Sequence, residues 1–249
     1  MTAASFAAKA ALALVLWASA HLAWAAGEAG TVERLLGTVS AQTADGSLRI
    51  ISQGSKFWPG EIILTEANSA ANLRFADGAK LALRANSRLV VERYDYSFLK
   101  PEEDNIAMRL LKGGMRSVTG AVGKRSPASY KNQTLVATVG IRGTDYALLM
   151  CTEGDGACTQ LKLPATLKTA DGQSPPGLYL SVFEGAINAA NNAGSIDFAT
   201  GKNGYVRDIN TLPIELDESP GLTTEFLGFH GLFDLNNPWD ANPQACLVK

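Results

Sequence analysis

The 249-residue sequence predicts an all-β fold of short strands that corner at glycines. Three features carry that expectation. Ala71, Leu73 and Phe75 alternate with polar residues, Asp77-Gly78 supplies a turn, and Ala79, Leu81 and Leu83 return on the same alternation, the pattern of a hairpin with one buried face. Glycine stands between strand formers in Leu35-Leu36-Gly37-Thr38-Val39, Trp58-Pro59-Gly60-Glu61-Ile62, Lys112-Gly113-Gly114-Met115 and Phe183-Glu184-Gly185-Ala186-Ile187. From Thr138 to Leu148, Gly140 and Gly143 bracket Arg142 among β-branched and aromatic residues, giving a strand, a break and a second strand. Strands cornered in this way either wind into stacked coils or pair as a sandwich, and both arrangements stand open at this level.

In chain order, residues 1–25 have the make-up of a signal peptide. Lys9 is a weak positive start, Ala10 to Ala20 is an apolar run short for a bilayer span, and Ala23-Trp24-Ala25 offers small residues for cleavage. Strand signals fill 26–207, beginning at Val32 to Gln42, with a turn at Asp45-Gly46 and a corner at Trp58-Pro59-Gly60 before Ile62-Ile63-Leu64. Leu89-Val90-Val91 is a further strand. The polar stretch Tyr94 to Asn105, with Pro101-Glu102-Glu103-Asp104, lacks EF-hand spacing and is expected to be a solvated loop. Ile106 to Leu111 resumes the sheet. Ser117 to Gln133, glycine-rich and carrying Lys124, Arg125 and Lys131, does not meet P-loop spacing and is expected to be a mobile exposed loop. Tyr146 to Met150 and Gln160 to Leu163 are expected to pair as hairpin arms, and Leu178 to Ile187 rebuilds strand, corner and strand. The Pro-containing tail, 208–249, carries a possible short helix after Ser219-Pro220, with Leu222, Phe226, Phe229 and Phe233 at helical spacing as a cover for the β domain.

Net charge is −2, with 22 basic and 24 acidic residues, which recommends neither nucleic acid nor an anionic membrane as partner. The two histidines are His21 and His230, so signal removal leaves His230 alone; two-histidine metal sites and most histidine triads are disfavoured. No catalytic residue, cofactor or metal is assigned. Export makes an oxidising compartment, and a Cys151–Cys158 bridge is expected across the turn-rich Thr152–Ala157 segment, with Cys246 left over. Arg142 is expected to be structural: a buried five-donor fork bonding carbonyls or a carboxylate where the strands cross, its stem packed among Val139, Ile141 and Tyr146.

Thr134 through Leu148, ending in Ile141-Arg142-Gly143-Thr144-Asp145-Tyr146, closely resembles the end of the FecR domain of bacterial envelope proteins. Gly60-Glu61-Ile62-Ile63-Leu64-Thr65, Leu73 to Leu81 and Leu110-Leu111-Lys112-Gly113-Gly114-Met115 fit the same pattern in the same order. The resemblance makes Gly140, Arg142, Gly143 and Thr144 the structural motif of the module and implies a solenoid-like twisted β arrangement. It also implies an exported, periplasmic or secreted envelope module. Signalling members of that family pass a signal from an outer-membrane receptor to a sigma factor through a cytoplasmic segment, a membrane span and a periplasmic domain. Here the cleavable N-terminus leaves no span or cytoplasmic portion, so direct sigma-factor contact is not expected, and the function implied is non-catalytic binding, scaffolding or signalling support for an envelope protein. One alternative is a glycan or peptidoglycan binder using Trp58, Tyr94, Tyr96 and Trp239 as stacking faces. Another is an enzyme using two carboxylates among Asp77, Asp145, Glu184 and Asp197.

Overall fold

A computed structural model describes residues 27–153, 158–159 and 161–222. The expected signal segment, the tail beyond Leu222 with its phenylalanine stripe, Trp239 and Cys246 lie outside the described residues.

The hairpin read from alternation is present. Strands β6 (Ala70–Phe75) and β7 (Lys80–Leu83) pair with Ala71 opposite Leu83 and Leu73 opposite Leu81. All four glycine corners of the repeat, Gly37, Gly60, Gly113 and Gly185, have positive φ. The remaining strands are β1 (Gly30–Leu36), β2 (Val39–Gln42), β3 (Leu48–Ile50), β4 (Lys56–Phe57), β5 (Ile62–Thr65), β8 (Arg88–Asp95), β9 (Asn105–Val118), β10 (Tyr130–Gln133), β11 (Thr138–Cys151), β12 (Gly177–Asn191), β13 (Gly194–Ala199), β14 (Asn203–Val206) and β15 (Ile214–Leu216). Together they make one large, open, mixed sheet.

Register divides that sheet into two leaves. The inner half of the first leaf runs β5, β8, the first half of β9, β10, the first half of β11 and the second half of β12, with β2 and β3 beyond β5 and β13 beyond β12. The second leaf runs β4, β1, β6, β7, the second half of β9, the second half of β11, the first half of β12, β14 and β15. Thus β9, β11 and β12 each serve both leaves, turning at Gly113, Gly143 and Gly185. Gly113 lies opposite Met150, at one end of the β9–β11 ladder, whereas Val118 and Asp145 close the other end beside Gly143. The chain therefore turns over the second leaf from opposite ends, and the returning halves meet where β9 and β10 pair in parallel. Every other pairing is antiparallel, which selects facing leaves over the stacked coils the resemblance favoured, since coils require parallel neighbours throughout.

One apolar core joins the leaves, with Val39, Ile63, Leu89, Ile106 and Val139 from the first meeting Leu73, Leu81, Met115, Leu148 and Leu180 from the second. Burying side chains of this size contributes about 1.5–3 kcal/mol each. A smaller core lies apart from it and gathers Ala147, Leu149, Tyr179, Tyr205, Leu161, Leu163, Leu222 and the cysteines. Cys151 and Cys158 are bridged there, with 5.8 Å between their Cα atoms.

Two expectations are corrected. Leu161 and Leu163 are not a strand: the arm facing the second half of β11 is β12, which pairs Cys151 with Gly177 and Tyr146 with Val182. The two leucines instead pack into the smaller core, which their alternation also satisfies. Ser117 to Gln133 is not an exposed loop. Helix α1 (Ala121–Arg125) buries Val122 and Gly123, and β10 buries Tyr130 and Asn132. Glycine serves close approach there rather than looseness: a Cβ on Gly123 would stand 2.6 Å from Ile141 Cδ1, and one on Gly120 would stand 2.4 Å from the Ala79 nitrogen.

At Gly185, φ is +79° and a Cβ would stand 2.4 Å from the Gly143 carbonyl oxygen. Gly185→Ala is therefore expected to cost roughly 3 kcal/mol or more, from backbone strain and overpacking together. Gly46→Ala shares the positive φ but meets nothing within 4 Å, so about 1–2 kcal/mol is expected there. Urea unfolding of both variants checks the difference; equal losses would contradict the close approach.

Candidate functional site

The segment 138–148 turns the corner between the leaves. Val139 and Ile141 point into the core, so alternation sends Thr138, Gly140 and Arg142 to the outer face. Gly143 takes φ +56°. Thr144 is buried, and its backbone exchanges two bonds with Thr119: Thr144 N–H donates to Thr119 Oγ1 at 2.9 Å and its carbonyl accepts from Thr119 N–H at 3.0 Å. Arg142 is exposed, and its side chain makes no hydrogen bond or ion pair among the described residues. The burial expected for it is corrected by the same parity that buries Ile141.

Another arginine fills the expected role. Arg116 on β9 donates from Nε and a terminal nitrogen to the two carboxylate oxygens of Asp145, at 2.9 and 2.7 Å. Its side chain is 12% exposed and that of Asp145 8%. Its guanidinium lies 4.4 Å from the centre of the Phe183 ring. β9, β11 and β12 are thereby clamped by one side chain beside the corner. A second clamp ties α1 to the β8–β9 connection. Arg125 donates to both oxygens of Asp104, at 2.9 and 3.0 Å, and to the Ser97 carbonyl at 2.6 Å, and the Asp104 side chain is fully buried. Asp104 was expected in a solvated acidic loop; its neighbours Pro101–Glu103 are indeed exposed.

On the outer face of the first leaf, register aligns Lys131, Gly140 and Asn188 across β10, β11 and β12. These residues floor a trough of about 560 Å³, walled by Pro127, Ala128, Thr138 and Arg142. The fold does not require glycine at 140. Its φ is not positive, and a Cβ would meet only the Asn188 carbonyl oxygen, at 4.0 Å. The missing side chain leaves the floor bare. Lys124 leans toward the corner, its Cγ 3.9 Å from the Cβ position of Gly143.

Of the aromatic residues expected as a stacking surface, Trp239 lies outside the described residues; Tyr94 and Tyr96 both line one shallow pocket of about 250 Å³, and Trp58 does not join them. Tyr94 is buried, stacked on Phe75 at 5.2 Å, and its hydroxyl donates to Asp77 Oδ1 at 2.7 Å. Trp58 is 38% exposed with Arg49 over its ring, and partly buried Tyr96 lies under Arg125. The carboxylates are likewise dispersed. Asp77 also accepts from the Ala79 and Val122 N–H groups, Asp145 holds Arg116, and exposed Asp197 accepts from Asn188 Nδ2 at 2.7 Å. Glu184 is exposed opposite Asp145. Among the described residues no group of three or more histidine, cysteine or acidic side chains gathers as a metal site would need.

The model of the FecR protein family matches residues 61–188, just over half of the chain. The chain belongs to the FecR family. The FecR match runs from the corner before β5 to the middle of the second half of β12, and so takes in all three strands that serve both leaves. Two crystal structures of a candidate anti-sigma factor from Parabacteroides distasonis are similar at 13% and 12% identity, each with a TM-score of 0.45, covering 64% of this chain and 60% of theirs. The chain thus spans about three fifths of the length of those structures. A structure described as a cell surface anchoring domain is 26% identical over 25% of this chain and 82% of its own, with a TM-score of 0.24. No curated protein matches the chain in sequence.

Among the described residues of this FecR module, five of the ten shifted titrations belong to buried tyrosines. Burial pushes Tyr130 up to about 12 and raises Tyr94, Tyr146, Tyr179 and Tyr205 above the ordinary phenol value. In the unfolded chain these phenols ionise near pH 10, so the stability they contribute is complete below pH 10 and is lost as pH rises through the folded values, from about 12 for Tyr130. Ultraviolet titration is expected to show these five phenolates appearing late, together with unfolding; smooth titration of all six tyrosines near pH 10 would contradict their burial.

The two arginines give a paired expectation. Arg116→Ala strands Asp145 and is expected to cost about 3–5 kcal/mol, whereas Arg142→Ala is expected to stay within about 0.5 kcal/mol of the native chain. Thermal and urea denaturation of both variants decide it, and a destabilised Arg142→Ala would restore the buried-fork reading.

Proposed function

We propose that this chain is an exported, non-catalytic binding module of the bacterial envelope that acts as a signalling accessory or scaffold by engaging a partner protein. The observation that carries the reading is the position of the FecR match, which takes in the turns of the three strands that join the leaves rather than a cleft of reactive groups. The geometry supports it on the chemical side. Asp77, Asp104 and Asp145 are saturated by bonds that hold the fold, and the raised tyrosines are neutral hydroxyls at working pH. Among the described residues no helix is long and apolar enough to cross a membrane. The cleavable N-terminal segment supplies the exported setting, and the Cys151–Cys158 bridge suits an oxidising compartment.

The test is chemical cross-linking in living cells of the bacterium that makes the protein, followed by fractionation. The tagged chain is expected in the envelope fraction, shortened to begin near Ala26, and joined in defined stoichiometry to one protein. Recovery from the cytosol, or retention by purified peptidoglycan with no protein attached, would overturn the reading.

A further inference from the structure

We propose that the trough on the outer face of the first leaf receives an acidic, extended peptide segment of a partner protein, with Arg142 gripping a side-chain carboxylate; this rests on the binding-module reading above. Three cations, Lys124, Lys131 and Arg142, stand at the corner and along the trough, all exposed. None of the three pairs with a carboxylate among the described residues, whereas the part-buried Arg74 pairs with Glu33 and Arg109 with Glu92. The carboxylate closest in register, Asp197, already accepts the Asn188 amide, and it lies on β13, away from Lys131. Among the described residues, charge at the β10–β11 side of the trough is therefore positive and uncompensated.

Shape narrows the occupant. The trough volume, about 560 Å³, falls within the range of roughly 300–1,000 Å³ in which pockets hold ligands. Its floor is bare because Gly140 has no side chain, at a position where the backbone would accept one. Glycine in a strand with no demand from its own fold marks a close approach by another chain or ligand. The floor strands pair on both sides, Lys131 with Gly140 and Gly140 with Asn188. The occupant therefore does not add a strand and must be recognised by side chains. Tyr130 contributes only a buried ring, so no exposed aromatic face is offered to a sugar. A planar guanidinium held on a rigid strand, next to the fixed turn at Gly143, suits a carboxylate that it can take with two parallel bonds.

The experiment measures fluorescence anisotropy of a short fluorescein-labelled peptide alternating glutamate and serine, with its lysine counterpart as control, on the full mature chain. The acidic peptide alone is expected to bind, more weakly as salt rises. Arg142→Glu is expected to weaken it by about tenfold or more, equivalent to about 1.4 kcal/mol. Gly140→Leu, which fills the floor, is expected to weaken it similarly, and both variants should keep the native melting temperature. No binding of the acidic peptide, or binding that survives both variants, overturns the proposal. So does preference for an oligogalacturonate of equal charge with the same sensitivity to Arg142→Glu. The cross-linked partner separates this from failure of the broader reading: if Arg142→Glu still captures that protein at native yield, the trough is not its site while the chain remains a binding module.

Discussion

A Cβ on Gly185 would sit 2.4 Å from the Gly143 carbonyl oxygen and 3.0 Å from that of Arg142. That contact between two turning backbones sets the architecture, because β12 can pass from one leaf to the other beside β11 only if it carries no side chain at position 185. With the turn at Gly113 at the opposite end, three strands fold a single sheet over itself and enclose one core. Glycine adopts the positive φ at these turns without the cost that a branched residue would incur, and the missing Cβ at Gly185 admits the neighbouring strand.

Around this corner the protein places its charged groups in two distinct ways. Arg116 with Asp145, and Arg125 with Asp104, are held in buried or half-buried forks that connect segments 29 and 21 residues apart. Such pairs add little net stability when compared with well-packed apolar residues, but they penalise any arrangement that leaves one partner alone. They fix which strand lies beside which. The cations around Gly140 are the reverse: among the described residues they pair with no carboxylate and leave their charge on the outside.

The local grammar of the fold was legible. Alternation at 71–83 and the glycine corners at Gly37, Gly60, Gly113 and Gly185 follow from short-range sterics, and a single sequence carries that information. What distance along the chain conceals was not. Nothing local in Arg116 points to Asp145, and Leu161 with Leu163 alternates as well for a covering segment as for a strand. The stretch 117–133 is ambiguous in sequence because glycine signals both freedom and close contact, and only the neighbours of Gly120 and Gly123 tell which. For Arg142 the signal was present: two buried apolar residues at 139 and 141 put position 142 on the opposite face. Of the aromatic set, Tyr94 was recruited to the core by Phe75 and Asp77, partners far off in sequence.

The open margins of the sheet carry a consequence for colloidal behaviour. Among the described residues the first leaf is bounded by β3 and β13 and the second by β4 and β15, strands of three, six, two and three residues. A margin of two or three residues offers too few unpaired N–H and C=O groups to template a neighbouring copy, and the longer margin, β13, carries exposed Asp197 near its middle. Lateral fusion of copies into ribbons is thus disfavoured at these four described margins.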